Sequence, residues 1–241
     1  MPGGAQLRHL ITDMPTAFRL FGPLHLVILG AVPLLAAIFA ALQRRLPPGF
    51  KALRYGVATI LLLDLALHYA YMAAHGQLIF PNCLPLELCD ATLFLTVIAL
   101  FTLNRAIFDL AYYGALAGST MALLTPDLAQ ASSLFLQVHF FVDHGFIVIA
   151  VLYLVWSRQA RPRPWSVGRA MLALNIYAAF AGTFNYIFKT DFMYLCAKPQ
   201  DVSLLVVLGP WPWYILSCEG VAFVLFLLLY LPFRQSASDA K

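Results

Sequence analysis

Apolar residues along the chain fall into seven long runs, roughly 22–43, 52–74, 84–103, 106–124, 133–156, 167–188 and 212–231. Each approaches the length of about 20 residues that a helix needs to cross a bilayer. Long segments alternating apolar and polar residues, the mark of a membrane β-barrel, are absent. The pattern predicts an all-α polytopic membrane bundle of about seven transmembrane helices. Residues 22–232 form its single membrane domain, preceded by an interfacial segment over 1–21 and followed by a short tail over 233–241. The stretch FRLFG near the start is too short and interrupted for the core of a cleaved signal peptide.

Composition narrows the class. Of 241 residues, 62% are hydrophobic and 11% charged, with a mean hydropathy of +0.81. Soluble domains carry about 25% charged residues. A water-soluble enzyme, a disordered chain and a nucleic-acid binder are excluded on this ground, and the net charge of +4 is spread over short loops.

Those bases orient the chain. With the N-terminus outside, Arg44, Arg45, Lys51, Arg54, Arg105, Arg158, Arg161, Arg163, Arg169, Arg234 and Lys241 lie on the inner side. Arg8, Arg19, Lys189 and Lys198 lie on the outer side. Inner loops of membrane proteins are enriched in Lys and Arg, so the bias predicts N-out, C-in and an odd number of crossings. The expectation is a multi-pass protein of a bacterial plasma membrane.

Ionisable residues inside the runs mark candidate chemistry, because charge in the bilayer core is costly. Five of the eleven acids are placed there: Asp64, Glu87, Asp90, Asp143 and Glu219. Four of the six histidines join them: His25, His68, His139 and His144. Depth follows from the helical rise of about 1.5 Å per residue. His68 and Asp64 lie about 9 and 15 Å from the outer end of the second run. Glu87, Cys89 and Asp90 lie about 5–9 Å into the third, and His139 and His144 about 9 and 16 Å into the fifth. Asn185 and Tyr186 sit near the outer end of the sixth, and Cys218 and Glu219 about 9–10 Å into the seventh. With His25 shallow at the outer end of the first, six runs thus place their polar residues in one outer layer, above an inner half of nearly pure Leu, Ala, Val, Ile and Phe. The layer predicts a polar cavity opening toward the outer leaflet.

Helix spacing refines this layer. Asp64 and His68 are four apart and share a face, so the carboxylate is placed to orient the imidazole. His139 and Asp143 have the same spacing, whereas His139 and His144 point about 140° apart. Glu87 and Asp90 share a face beside Cys89.

Four cysteines at positions 83, 89, 196 and 218 do not have the spacing of a zinc site. Cys83 and Cys196 fall in outer loops, where an oxidising exterior would permit a disulfide. The prolines of PNCLPLELCD place a helix start near Leu84 and Cys89 in its second turn. A thiolate paired with histidine accepts acyl groups, with His139 or His144 as the base; inert packing is the alternative for a buried thiol. The long loop before the seventh run carries Trp211 and Trp213, which suit the membrane interface.

Four segments resemble the YwaF-type integral membrane family, whose animal members are the transmembrane-protein-164 acyltransferases. They are FGPLHL at 21–26, LPLELCD at 84–90, HFFVDHG at 139–145, and FNYIF, YLCAKP, SLL and GPWPWY between 184 and 214. The resemblance covers about residues 18–232. It implies a helical membrane enzyme that moves fatty acyl chains between phospholipids through a Cys and a His. The Cys corresponds to Cys89 and the His to the HFFVDHG segment, with His144 placed first by the motif and His139 by depth. Distant relatives of the family include lipid hydrolases with a Thr and a His, a part for which Thr92 is the candidate.

The reading is a membrane-embedded lipid acyltransferase with Cys89 as nucleophile and His144 or His139 as base. His25, Asp64, His68, Glu87, Asp90, Asp143, Asn185, Tyr186 and Glu219 support the cavity. Membrane lipids are the expected substrate, with no cofactor, resident metal or nucleic acid. Three other readings stand beside it: an intramembrane lipid hydrolase, a metal-dependent enzyme using the histidines and acids, and a transporter or binding protein without chemistry. A transporter needs polar residues at both depths, and the metal reading lacks HxxxH spacing on any one run.

Overall fold

A computed structural model describes residues 18–47, 49–128, 133–198 and 208–234. Most of the expected interfacial segment, the tail from 235 onward and residues 199–207 of the outer loop lie outside the described residues. Among the described residues the secondary structure is wholly helical. The helices are α1 (Pro23–Arg45), α2 (Ala52–Ala74), α3 (Leu88–Thr102), α4 (Arg105–Leu124), α5 (Leu134–Trp156), α6 (Ser166–Phe188) and α7 (Trp213–Tyr230). Six are long and apolar enough to cross a membrane; α3, with 15 residues, is the shorter exception. The fold is a polytopic helical bundle and the chain a multi-pass membrane protein.

Local sequence sets the helix ends. Pro23 opens α1, where a missing N–H costs nothing. The Asn104 side chain accepts the Ala106 and Ile107 N–H groups at 2.9 and 3.2 Å and starts α4. Ser133 Oγ accepts the Leu136 N–H at the start of α5. The third helix begins at Leu88 rather than Leu84, because Pro85 holds the preceding residue out of the helical region. Glu87 is its N-cap, and Asp90 completes a capping box by accepting the Glu87 N–H at 3.0 Å. Cys89 therefore sits in the first turn, not the second.

Helix α5 is the axis of the bundle. It packs against α1, α2, α3 and α4 and buries Ile147, Ala150, Val151, Tyr153 and Leu154. Helix α4 is π-helical over Gly114–Ser119. There it approaches α3 so closely that a Cβ on Gly114 would stand 2.6 Å from Thr92 Oγ1. Only glycine permits that approach without displacing α3. Helices α6 and α7 pack on α4 at the periphery and are little buried within the chain.

The inner half is more polar than the apolar pattern indicates. Asp109, a further acid within the helices, is fully buried near the start of α4. It accepts the Arg163 N–H at 3.0 Å, Arg163 Nε at 2.8 Å and Arg169 Nη2 at 3.2 Å. The loop between α5 and α6 is held to α4 by this carboxylate. Arg54 is also buried, donating from Nη1 to Leu100 O at 2.7 Å. Both ionic sites lie at the end of the bundle where the bases collect.

Candidate functional site

The polar layer resolves into a core and a set of structural pins. At the core, Asp64 of α2 meets His139 of α5, with Oδ2 2.7 Å from Nδ1. This corrects the expected Asp64–His68 pairing. Across the interface the carboxylate reaches a ring nitrogen directly, and such charge-assisted bonds are stronger than neutral ones. His68 instead stacks on His139, with ring centroids 4.1 Å apart and planes 11° apart. Its Nδ1 is buried without a hydrogen-bond partner, as is Asp143 Oδ1.

Asp90 and Asp143 are near enough to act electrostatically on both this imidazole and the Cys89 thiol. Glu87 also acts on the thiol. The His139 and His144 Nδ1 atoms are engaged elsewhere, and among the described residues neither ring is hydrogen-bonded to Cys89. His144 is buried, stacked on Phe140, and bonds through Nδ1 to the Phe140 carbonyl one turn earlier at 2.9 Å. Asp143 lies 3.5 Å from the same nitrogen.

Several expected cavity residues are pins instead. His25 is fully buried and uses both ring nitrogens, accepting the Phe21 N–H at 2.9 Å and bonding Leu123 O at 2.7 Å. Asn185 donates to Phe192 O and accepts the Phe192 N–H and the Thr190 hydroxyl. Tyr186 is 75% exposed and packs against the Lys189 ammonium, away from the core. Glu219 is half-buried on α7. Thr92 gives its hydroxyl proton to Leu88 O at 2.7 Å and packs on Gly114.

The outer loop after α6 folds over the start of α3. Glu87 Oε2 accepts the Met193 N–H at 2.9 Å, Tyr194 donates to Asp127, and Tyr214 donates to Tyr194 O. Tyr177 of α6 donates to Leu86 O at 3.0 Å. Asp191 accepts the Cys196 and Ala197 N–H groups at 2.7 and 3.1 Å. Burial raises the Asp191 carboxyl above its ordinary value, although these two donors act against the shift. Cys83 and Cys196 are free thiols, so the disulfide expected as permissible is not formed. Burial and the neighbouring Asp191 raise the Cys196 thiol.

The large cavity is separate from the polar core. It encloses about 600 Å³ between α3, α4, α6 and α7, with an almost wholly apolar lining. Leu88, Ala91, Thr92, Leu95 and Ile98 line it from one face of α3, at helical spacing. Asp90 lies on the other face. The expected single polar cavity is thus two compartments that share α3: a half-buried polar cluster toward α2 and α5, and an apolar cavity toward α6 and α7. Among the described residues no group of three or more His, Cys, Asp or Glu side chains is arranged to hold a metal ion.

A profile of the TMEM164 family matches residues 20–230, nearly the whole bundle. The chain belongs to the TMEM164 family. The resemblance carried by LPLELCD, HFFVDHG and GPWPWY is thereby shown. The chain is 29% identical over 221 residues to an uncharacterized protein of Treponema pallidum (strain Nichols), covering 91% of each. No solved structure matches. Within this TMEM164-family bundle the sequence reading missed two relationships. One is the His68–His139 stack. The other is Asp109, whose signal was the acid in RAIFDLAYY facing an arginine-rich inner loop.

Proposed function

We propose that the chain is a lipid acyltransferase of the bacterial plasma membrane that works through a Cys89 acyl-thioester. One juxtaposition carries the reading. Cys89 lies in the first turn of α3, next in sequence to Leu88 of the apolar cavity lining, and shares the nearby carboxylates Asp90 and Asp143 with the half-buried Asp64–His139 pair. A carboxylate on Nδ1 fixes the tautomer that leaves Nε2 free as a base, the arrangement of nucleophile, base and orienting acid common in acyl transfer. His139 is therefore the base, and His144, held by its own helix, supports the packing around it.

His139 Nε2 takes the thiol proton as Cys89 Sγ bonds to the ester carbonyl carbon of a phospholipid. The ester C–O bond breaks, and the imidazolium returns the proton to the departing lysophospholipid oxygen. A second lipid alcohol gives its proton to His139 while its oxygen bonds to the thioester carbonyl. The C–S bond breaks and the thiolate regains the proton. The Leu88 and Cys89 N–H groups, which lack partners within α3, are suited to receive the oxyanion, whereas those of Asp90 and Ala91 are taken by Glu87.

The test uses purified protein in liposomes holding a phospholipid with an isotope-labelled acyl chain and an unlabelled lysophospholipid. Mass spectrometry should find the label on the acceptor with wild type and not with Cys89→Ala. Full transfer by Cys89→Ala defeats the thioester route. Label released only as free fatty acid assigns the site to hydrolysis.

A further inference from the structure

The apolar cavity has a definite length and lining. Along α3 its lining runs from Leu88 to Ile98, and along α4 from Leu110 to Met121. At 1.5 Å per residue both stretches measure about 15 Å. That is about half of the 30 Å hydrocarbon core, the depth occupied by one tail of one leaflet. The outer end of the lining adjoins Cys89 through Leu88. Toward the inner end the lining includes Phe226, buried and tilted 31° against Tyr113 at a centroid distance of 4.6 Å. Tyr113 is itself fixed by a 2.8 Å hydrogen bond to Ser166.

The wall is open because of the π-helical segment of α4. A π turn displaces the residues that follow it around the helix, and such turns recur at functional sites. Here it presents Gly118 to the cavity, and a Cβ added at Gly118 would meet no atom within 4 Å. Gly114, by contrast, is needed for close approach to Thr92. The two glycines of one segment therefore have different causes: Gly114 brings α4 onto α3, and Gly118 leaves space unfilled. Empty apolar space of this size is costly in a packed interior unless something occupies it.

We infer that the cavity holds a single fatty acyl chain, carboxyl end at Cys89 and methyl end toward the inner leaflet, and that Phe226 on Tyr113 sets its maximum length. The inference rests on the acyl-transfer reading for its ligand class, but binding is measurable without turnover. A fluorescent fatty acid bound to the purified full-length protein is displaced by unlabelled straight-chain acids graded from octanoic to docosanoic acid. Wild type should show affinity rising with length to a limit and falling beyond it. Phe226→Ala should move that limit to longer acids. Gly118→Leu, whose Cβ meets no atom within 4 Å, should weaken binding of all medium and long acids by about tenfold or more, as expected when a few methylene groups lose their site.

An unchanged length limit in folded Phe226→Ala overturns the role of Phe226. Unchanged affinity in Gly118→Leu overturns the cavity as the site, and decides the question alone should Phe226→Ala fail to fold. Cys89→Ala should keep the wild-type length profile. If it also keeps full acyl transfer, the cavity stands while the thioester route falls.

Discussion

Asp64 and His139 face each other across α2 and α5, with 2.7 Å between carboxylate and imidazole, and neither is near a helix end. In the proposed reaction the pair leaves one ring nitrogen for chemistry and spends the other on orientation. Asp64→Asn keeps the size of the side chain but lets the amide favour the opposite tautomer. It should lower acyl transfer by about 10²–10⁴-fold, the usual worth of an oriented general base. The readout is the single-turnover rate of thioester formation, with thermal unfolding as the control for folding. A loss of stability with unchanged rate would make the pair purely structural.

The two histidines should separate in the same assay. His139→Ala should remove the thioester burst, whereas His144→Ala should chiefly lower stability. His144 is buried on Phe140, and its loss opens space in α5 packing, at a cost of about 2–4 kcal/mol. A full burst in His139→Ala with none in a folded His144→Ala would reverse the assignment.

Contact between α3 and α4 supplies a stability test. Gly114→Ala places a methyl where Thr92 Oγ1 and Cγ2 already stand, at 2.6 and 2.9 Å. Overpacking of this kind costs about 1–3 kcal/mol. Thr92→Ala added to Gly114→Ala should restore most of the loss, read as coupling in a double-mutant cycle of thermal unfolding. Thr92→Ala alone should retain acyl transfer, since its hydroxyl proton is committed to Leu88 O.

At the inner end, Asp109→Asn should loosen the loop between α5 and α6. The amide loses the charge that gathers three donors from Arg163 and Arg169. Hydrogen bonds to charged groups are worth about 1.5–3 kcal/mol, and both arginine side chains are partly exposed, at 34% and 42%, so the lower figure applies. Faster hydrogen exchange confined to residues near 157–165 is the expected signature.

The outer thiols offer a pH test. Cys196 is exposed and free, and its thiol is raised by burial and by Asp191. A thiol with a raised value holds its proton to higher pH, so maleimide labelling should accelerate at a more alkaline pH than for an unhindered cysteine. Asp191→Asn should move that acceleration back down. Mass spectrometry of labelled peptides reads both, and a labelling curve unmoved by Asp191→Asn would dissociate the two groups.

The helices were legible because an apolar run of more than twenty residues has few other uses. The start of α3 was not. Leu84, Leu86 and Leu88 continue the apolar pattern, while Pro85 and the Glu87–Asp90 capping box end it in practice. Depth along each helix was also readable: Asp64 bonds His139, and His68 stacks on the same ring. Rotation was not. Whether Asp64 turns to His68 on its own helix or to His139 on another depends on packing that the i, i+4 rule ignores. His25 and Asn185 are as polar and as deep as the core residues, yet their partners are backbone groups that a sequence does not display. The apolar cavity left the faintest trace, because its wall is partly the absent side chain of Gly118.

The shortness of α3 sets the working depth of the site. Its 15 residues span about 22 Å against a hydrocarbon core of about 30 Å. With the inner ends of the bundle level, the N-terminus of α3 and Cys89 stand several ångströms beneath the outer headgroups. Hydrophobic mismatch of this kind is relieved by a local dip of the bilayer surface, at a fraction of a kcal/mol per ångström. On the proposed thioester route such a dip would bring ester linkages down to the thiol instead of lifting the thiol to them. Bilayer thickness thereby becomes a control on turnover: lipids with longer tails should slow the reaction without altering the protein at all.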